Sequence, residues 1–423
     1  MIRIRRLSLQ MIDIKVFLLG MICVCYLSPT VLRTIGTVGT VALIGFYLLL
    51  EINNLLHASI FEKITMLLIA FYIALLLIYS FLGMSDKGAG QTSSVLFMLG
   101  YFLIVPVRKT LSRKHCVFLV VICVLTILVT MLQNYALWIR MGHRITQQWW
   151  KIGVREVVNT QYVHAIVLFS GVMFSLFLVK KGSAVRYLYL AIVVVCFVFN
   201  IAVSQRMIAL ILSIVMVMLL SFANGEVTRG KIVRYLVFAV VFLFFVIEYQ
   251  LVLGWLADVV GSDRLRRRIN TISTLITMKS LTDLEDGSMA TRLRLIGVSI
   301  RTVFSSIPNF FFGVGDKTDN SLVGNHSYFF DEFAKFGVIG GLVSCSIVVR
   351  MMKTARNVST VVRSDPLHKL IDMMFLTMFI RSLIGGILSP PIGTVMFVFL
   401  PLVFRLLKED AKAQGNADAQ LEE

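Results

Sequence analysis

The chain has 423 residues, of which 58% are hydrophobic, and its mean hydropathy of +0.86 with apolar runs almost end to end excludes a soluble domain and marks a polytopic membrane protein. The net charge of +18 does not point to nucleic acid, because the basic residues are spread over the loops between apolar runs, where they act as orientation signals and attract anionic lipid. All six cysteines (Cys23, Cys25, Cys116, Cys123, Cys196, Cys345) lie inside apolar runs, so they read as small core hydrophobes, with neither a disulfide framework nor metal spacing.

The chain begins with the basic run MIRIRR, and no cleavable signal peptide is expected because the first apolar run is followed by many more. Spans are predicted near 14–29, 32–50, 60–83, 93–107 and 116–133. A polar segment, 134–161, holding Trp138, Trp149 and Trp150, precedes spans near 162–180, 187–204, 207–223 and 235–258. The longest polar region, 261–335, follows, and spans near 336–352, 369–388 and 392–407 complete the set. This is an all-α bundle of about twelve transmembrane helices, each roughly 20 residues as a bilayer requires. It forms a single transmembrane domain over 1–407, and the charged tail 408–423 is expected to lack fixed structure.

Loop charge sets the orientation. With the N-terminus in the cytoplasm, Arg108, Lys109, Arg113 and Lys114 fall inside, as do Lys180, Lys181 and Arg186. Arg229, Lys231, Arg234, Lys353, Arg356 and Arg363 agree. Both termini are then cytoplasmic, and both long polar segments, 134–161 and 261–335, face outward, where nucleotides are absent and a substrate must arrive already activated.

Within the larger outer segment, 264–281 has apolar residues at helical spacing and arginines clustered at one end, which predicts a membrane-surface helix. The stretch 291–308 reads as a second amphipathic helix, with Arg294 and Arg301 on one face and Arg292 offset. The acidic run DLEDG, 283–287, reads as a solvated loop rather than a metal site. Two further arginines lie near apolar spans: Arg206, where two apolar runs meet, and Arg381, near the outer end of its helix. At bilayer depth an arginine costs at least about 2.5–3.5 kcal/mol, so such a residue either faces a cavity on a substrate path or snorkels to the headgroups.

The stretch 312–343, FGVGDKTDNSLVGNHSYFFDEFAKFGVIGGLV, joins a polar loop to an apolar helix. Gly313 and Gly315 permit tight turns, and Asn325 or Ser327 can cap the helix, which places His326 in or near its first turn. At helical spacing His326, Phe330, Phe333 and Gly337 share one side, while Asp331 and Lys335 form an i,i+4 pair on another. Asp331 or Glu332 can orient the imidazole or pair with Lys335, and Trp149, Trp150 and Tyr328 read as interfacial anchors.

In order, SQRMIALIL (204–212), ATRLRLIG (290–297), a proline with FGVG (312–315) and NHSYFFDEFAKFGVIGG (325–341) resemble the O-antigen ligase and Wzy-type polysaccharide polymerase superfamily of bacterial inner-membrane glycosyltransferases. The motifs cover roughly the C-terminal half; the other half matches in hydropathy and helix count. His326-Ser327, where ligases more often carry His-Asn, is similar to the O-antigen and capsule polymerase branch. The resemblance implies a GT-C-like fold, His326 as catalytic residue and Arg206 and Arg292 as diphosphate-binding arginines, with Arg294 the alternative to Arg292.

The chemistry expected is transfer of a glycan from polyprenyl diphosphate to a sugar hydroxyl, with no metal or other cofactor. Arg206, Arg292 and Arg381 can pair with phosphate oxygens in bidentate fashion, and a neutral His326 can take the acceptor's proton. Asn325, Ser327, Glu332, Gly313 and Gly315 support the site. Expected partners are the lipid-linked oligosaccharide donor and acceptor, membrane lipid and a chain-length regulator. A ligase delivering glycan to lipid A core is the first alternative, and a flippase of lipid-linked oligosaccharide is the alternative of another class. A flippase predicts internal repeats and discontinuous helices in matching halves.

Overall fold

The computed structural model describes residues 2–85, 88–106, 108–141, 160–180, 182–204, 207–223, 288–316, 321–365 and 367–421. These residues are 85% helical and contain no strand. In chain order the helices are α1 (Ile2–Leu27), α2 (Pro29–Leu50), α3 (Ile52–Leu56), α4 (Ile60–Phe81), α5 (Gly88–Ile104), α6 (Arg113–Met141), α7 (Thr160–Val179) and α8 (Val185–Val198). The second half comprises α9 (Met207–Ala223), α10 (Ser288–Val303), α11 (Ile307–Phe312), α12 (Tyr328–Ser359), α13 (Leu367–Ile384), α14 (Pro390–Thr394) and α15 (Leu400–Leu421). Wider π-helical turns, Phe199–Ser204 and Val395–Phe399, follow α8 and α14.

Six helical stretches among the described residues are long and apolar enough to cross a bilayer: Pro29–Leu50, Ile60–Phe81, Arg113–Arg140, Thr160–Val179, Tyr328–Ser359 and Pro390–Ala413. Thr92–Ile104, Val185–Ile201 and Ile208–Ala223 are apolar but shorter. The span expected near 235–258, the surface helix expected at 264–281, the acidic run at 283–287, Trp149, Trp150 and Arg206 all lie outside the described residues. Large apolar side chains remain outside the packed core, as a surrounding membrane would allow: Leu67, Leu77, Phe81, Leu132 and Val349 are all exposed.

Helix starts follow local chemistry. Ser28 caps α2 ahead of Pro29, whose missing N–H is no loss in a first turn. Ser59 and Glu62 form a reciprocal capping box at α4, the Ser59 N–H donating to the Glu62 carboxylate at 2.9 Å. The amphipathic helix expected over 291–308 is two pieces. α10 ends at Val303, and Ser306 caps α11 by accepting the Asn309 N–H, with Pro308 in the first turn.

Ion pairs collect at one end of the bundle, where the short basic loops lie. Lys15 pairs with Glu51 at 3.1 Å, Arg108 pairs with Glu62, and Arg405 donates to the carbonyls of Arg108 at 2.8 Å and Leu111 at 2.9 Å. Asp410 accepts from both Arg113 and Lys180. Lys408 and the Val362 N–H hold the Asp365 carboxyl below its usual range. These contacts correct the expectation for the tail: α15 continues to Leu421, because Lys408 and Asp410 on it find partners on α6, at the end of α7 and in the loop after α12.

The largest departure is inside α12. Its start at Tyr328 agrees with the expected cap at Ser327, although the sequence places the membrane span only from 336; the helix is broken at Gly337, whose φ of 64° is left-handed. Hydropathy leaves Asp331, Glu332 and Lys335 in the polar segment before the span; the structure buries Asp331 and Glu332 and half-buries Lys335, since each meets a partner from another element.

Candidate functional site

The half-helix 328–336 is held at both ends by side chains and backbone from elsewhere in the chain. At its start Ser327 is the cap: its hydroxyl accepts the Phe330 N–H at 3.3 Å and donates to the Ser382 carbonyl at 3.2 Å. Asp331 accepts the Ser327 N–H at 2.8 Å on one oxygen and the Ser299 hydroxyl at 2.6 Å on the other. Ser299 in turn accepts the Gly324 N–H at 2.9 Å, so one buried serine of α10 ties the loop before the cap to the first turn after it. The Tyr328 N–H donates to the Gly385 carbonyl at 3.2 Å, seating this start on the end of α13.

At the break, the turn that the sequence FGVG makes fills the gap. The carbonyls of Ala334 and Lys335, released by the kink, accept the N–H groups of Val314 at 3.0 Å and Gly315 at 2.8 Å. Gly313 and Gly315 have φ of 73° and 84°, as the turn requires. A Cβ at Gly313 would meet the Lys335 carbonyl, and one at Gly337 would meet the backbone of Phe311 and Phe312, so two stretches of main chain cross where only glycine fits. The Tyr79 hydroxyl of α4 donates to the Phe312 carbonyl and anchors the same turn.

Between these two ends lies a cavity of about 320 Å³, at the opposite end of the bundle from the ion-pair cluster. Its inner wall carries Tyr72, Tyr328, Asp331, Glu332 and Phe336, all buried, and Ser93, Ser94, Gln161, Asn325 and Gly386 are more exposed around it. The Tyr72 hydroxyl donates to Glu332 Oε2 at 2.7 Å, and Lys335 Nζ pairs with Asp316 Oδ1 at 2.9 Å. Among the described residues no group of three or more His, Cys, Asp or Glu side chains is arranged to hold a metal ion.

Several expectations are tested by this geometry. His326 lies one residue before the cap, beside the first turn as expected, with Asn325 at a left-handed φ of 57° and Ser327 doing the capping. It cannot share a helical face with Phe330, Phe333 and Gly337, since the helix starts after it and breaks at Gly337. The Asp331–Lys335 pair gives way to Lys335–Asp316, because both Asp331 oxygens are taken by Ser327 and Ser299. Tyr328 is not an interfacial anchor: it is 6% exposed, lines the cavity and shares a hydrogen bond with Ser344 at 2.8 Å.

The arginines fall in different places. Arg381, in the last turn of α13, is 3% exposed and so does not snorkel; its guanidinium occupies the space a Cβ at Gly385 would need, and it does not line the cavity. Arg294 is exposed. Leu295 and Ser299 are the residues of α10 that meet Gly324 and Asp331, and Arg294 lies about 140° around the helix from Ser299. The Arg292 side chain lies outside the described part of α10.

Ser299, Asp316 and Tyr72 were not singled out from the sequence. Ser299 sits two turns after Arg292 and Asp316 directly follows FGVG, so both carry a spacing signal. Tyr72 carries none, being 260 residues from its partner Glu332. No family model matches the chain, and no curated protein matches it at a significant level.

Proposed function

We propose that this chain is a repeat-unit polymerase of the bacterial inner membrane. In this reading it has about twelve transmembrane helices, a GT-C-like arrangement and both termini in the cytoplasm. It transfers a glycan from polyprenyl diphosphate to a sugar hydroxyl of another lipid-linked repeat unit, in O-antigen or capsule biosynthesis. The observation that carries this reading is the polar cavity beside the Asn325-His326-Ser327 segment, at the end of the bundle away from the basic loops. Positive-inside orientation then turns the cavity toward the outer surface, where a lipid-linked glycan is presented.

In the proposed step the acceptor oxygen attacks the anomeric carbon of the donor, the bond from that carbon to the diphosphate oxygen breaks, and the acceptor's proton passes to His326. Arg206 and Arg292 pair with the departing diphosphate, whose negative charge grows as the bond opens. Ser299 and Asp331 hold the His326 segment, and Gly313 and Gly315 hold the half-helix behind it. Arg381 contributes by supporting the end of α13, whose carbonyls receive Ser327 and Tyr328.

The flippase alternative asks for discontinuous helices in matching halves. α2 is broken at Gly36 and α12 at Gly337, both left-handed, yet the two breaks do not correspond. A Cβ at Gly36 would meet nothing within 4 Å, whereas the break in α12 is packed by a second stretch of backbone and borders the cavity. This favours an enzyme. The glycan profile of a deletion strain tests the reading: a single repeat on the final anchor is the expected result. Full-length chains stranded on the polyprenyl carrier would instead identify the ligase, and an unchanged profile would remove both.

A further inference from the structure

The cavity beside His326 has the wrong charge for the diphosphate. Asp316, Asp331 and Glu332 line it against one lysine, Lys335, which is already paired with Asp316 at 2.9 Å, and no arginine is among its described lining residues. A diphosphate placed there would meet carboxylates at close range with little solvent between, which costs far more than the same approach in water. Carboxylates, hydroxyls and amides do suit a sugar, because each can accept or share a hydroxyl proton. Tyr72 and Phe336, edge to face at 5.8 Å between centroids, add apolar ring surface to the same wall. At about 320 Å³ the space is at the small end of ligand cavities, enough for a sugar residue and too small for a polyprenyl chain.

We propose that this cavity is the subsite for the acceptor's terminal sugar, and that its carboxylates admit neutral and amino sugars while rejecting acidic ones. The inference rests on the transferase reading and deepens it by separating the two substrates. The acceptor enters the acidic cavity, and the donor's diphosphate stays outside it, with the arginines that the transferase reading assigns to it. Asn325 and Ser327, the neighbours of His326 in the chain, both line the cavity, so a hydroxyl at its edge lies next to the segment that carries the base. Glu332 is a specificity residue here: its carboxylate, fixed by the Tyr72 hydroxyl at 2.7 Å, sets both the shape and the charge of the floor.

The test labels a thiol on the cavity wall and asks what protects it. Ser94→Cys in the full chain, reconstituted in lipid nanodiscs, is reacted with a maleimide against the background of the parent protein, five of whose six cysteines are buried. The probes are the methyl glycosides of glucose, N-acetylglucosamine, glucosamine and rhamnose, methyl glucuronide, and farnesyl diphosphate. At least one neutral or amino glycoside should slow labelling, by about tenfold at ten times its Kd, and the glucuronide and the diphosphate should not. Adding Glu332→Gln should let the glucuronide protect.

Protection by farnesyl diphosphate or by the glucuronide in the single variant, or by none of the neutral and amino glycosides, overturns the inference. Ser93→Cys, on the same wall, repeats the measurement should Ser94→Cys fail to fold. The outcomes for the two readings are separable. Sugar protection together with an unchanged glycan profile on deletion keeps the cavity as a sugar site and removes the polymerase. Diphosphate protection together with lost polymer does the reverse.

Discussion

Replacing Ser299 by alanine removes one hydroxyl, and the structure makes that hydroxyl the joint between α10 and the loop that carries His326. It donates to Asp331 Oδ1 at 2.6 Å and accepts the Gly324 N–H at 2.9 Å, and the residue is fully buried. A hydrogen bond to a charged group contributes about 1.5–3 kcal/mol, and a buried donor left unmade costs about 1–3 kcal/mol. Asp331 keeps the Ser327 N–H at 2.8 Å, and α10 can settle into the gap, so the lower ends apply. Their sum, about 2.5 kcal/mol, corresponds to about a 70-fold shift toward local opening of the 321–331 segment. Hydrogen exchange of the purified protein, read by mass spectrometry on peptides covering that segment, should quicken by that order at Gly324. Polymer made in cells should fall with it, because His326 lies inside the loosened stretch. Arg301→Ala, at an exposed position on the same helix, is the control and should stay within about 0.5 kcal/mol of the parent. Unchanged exchange in Ser299→Ala, with normal polymer at parental abundance, would refute the claim that this serine holds the site together.

His326→Ala should abolish polymer while leaving insertion and abundance near normal, with a loss of about 10² to 10⁴ in rate; normal ladders from that variant would take the residue out of the mechanism. Arg206→Lys and Arg292→Lys should each slow transfer by roughly 10- to 150-fold, since lysine keeps the charge and loses the planar fork. Arg294→Lys, exposed and off the packed face of α10, should be mild, and polymer length normalised to protein level decides all three. Gly36→Ala and Gly313→Ala separate backbone conformation from crowding: both sit at positive φ, but only at Gly313 does the new Cβ strike backbone. The first should cost about 1–2 kcal/mol, the second clearly more, read as thermal unfolding in detergent. Tags at 84–90, 140–155 and 264–290 should report the outside, and tags at 108–114, 180–186 and 353–366 the inside; a cytoplasmic readout at 264–290 would remove the mechanism as well as the orientation.

What the sequence by itself determined is carried by neighbours within a few residues. Hydropathy averaged over a turn or two places α4 and α7 close to where they are found, because an apolar run of that length has few other stable states. By contrast α6, expected to end near 133, runs on to Met141 through residues assigned to the outer polar segment. The turn at Gly313 and Gly315 was legible for the same reason: two glycines in FGVG announce a backbone that other residues resist, and both are left-handed. Ser327 stood as one of two possible caps, and the choice between it and Asn325 fell to the Ser382 carbonyl and Asp331, which only the folded chain brings near.

The tertiary structure alone decided the break in α12. Gly337 looks in sequence like another small residue in an apolar helix, and its left-handed φ arises because the main chain of Phe311 and Phe312 crosses at that point. The same crossing frees the carbonyls that Val314 and Gly315 occupy, and it lets Lys335 turn to Asp316 instead of to its helical neighbour Asp331. Tyr72 and Glu332 make the point most plainly. Each lies in its own helix, 260 residues apart, and nothing near either names the other. A buried polar group must find a partner, and which partner it finds depends on how whole helices pack, a property that no window of the sequence contains.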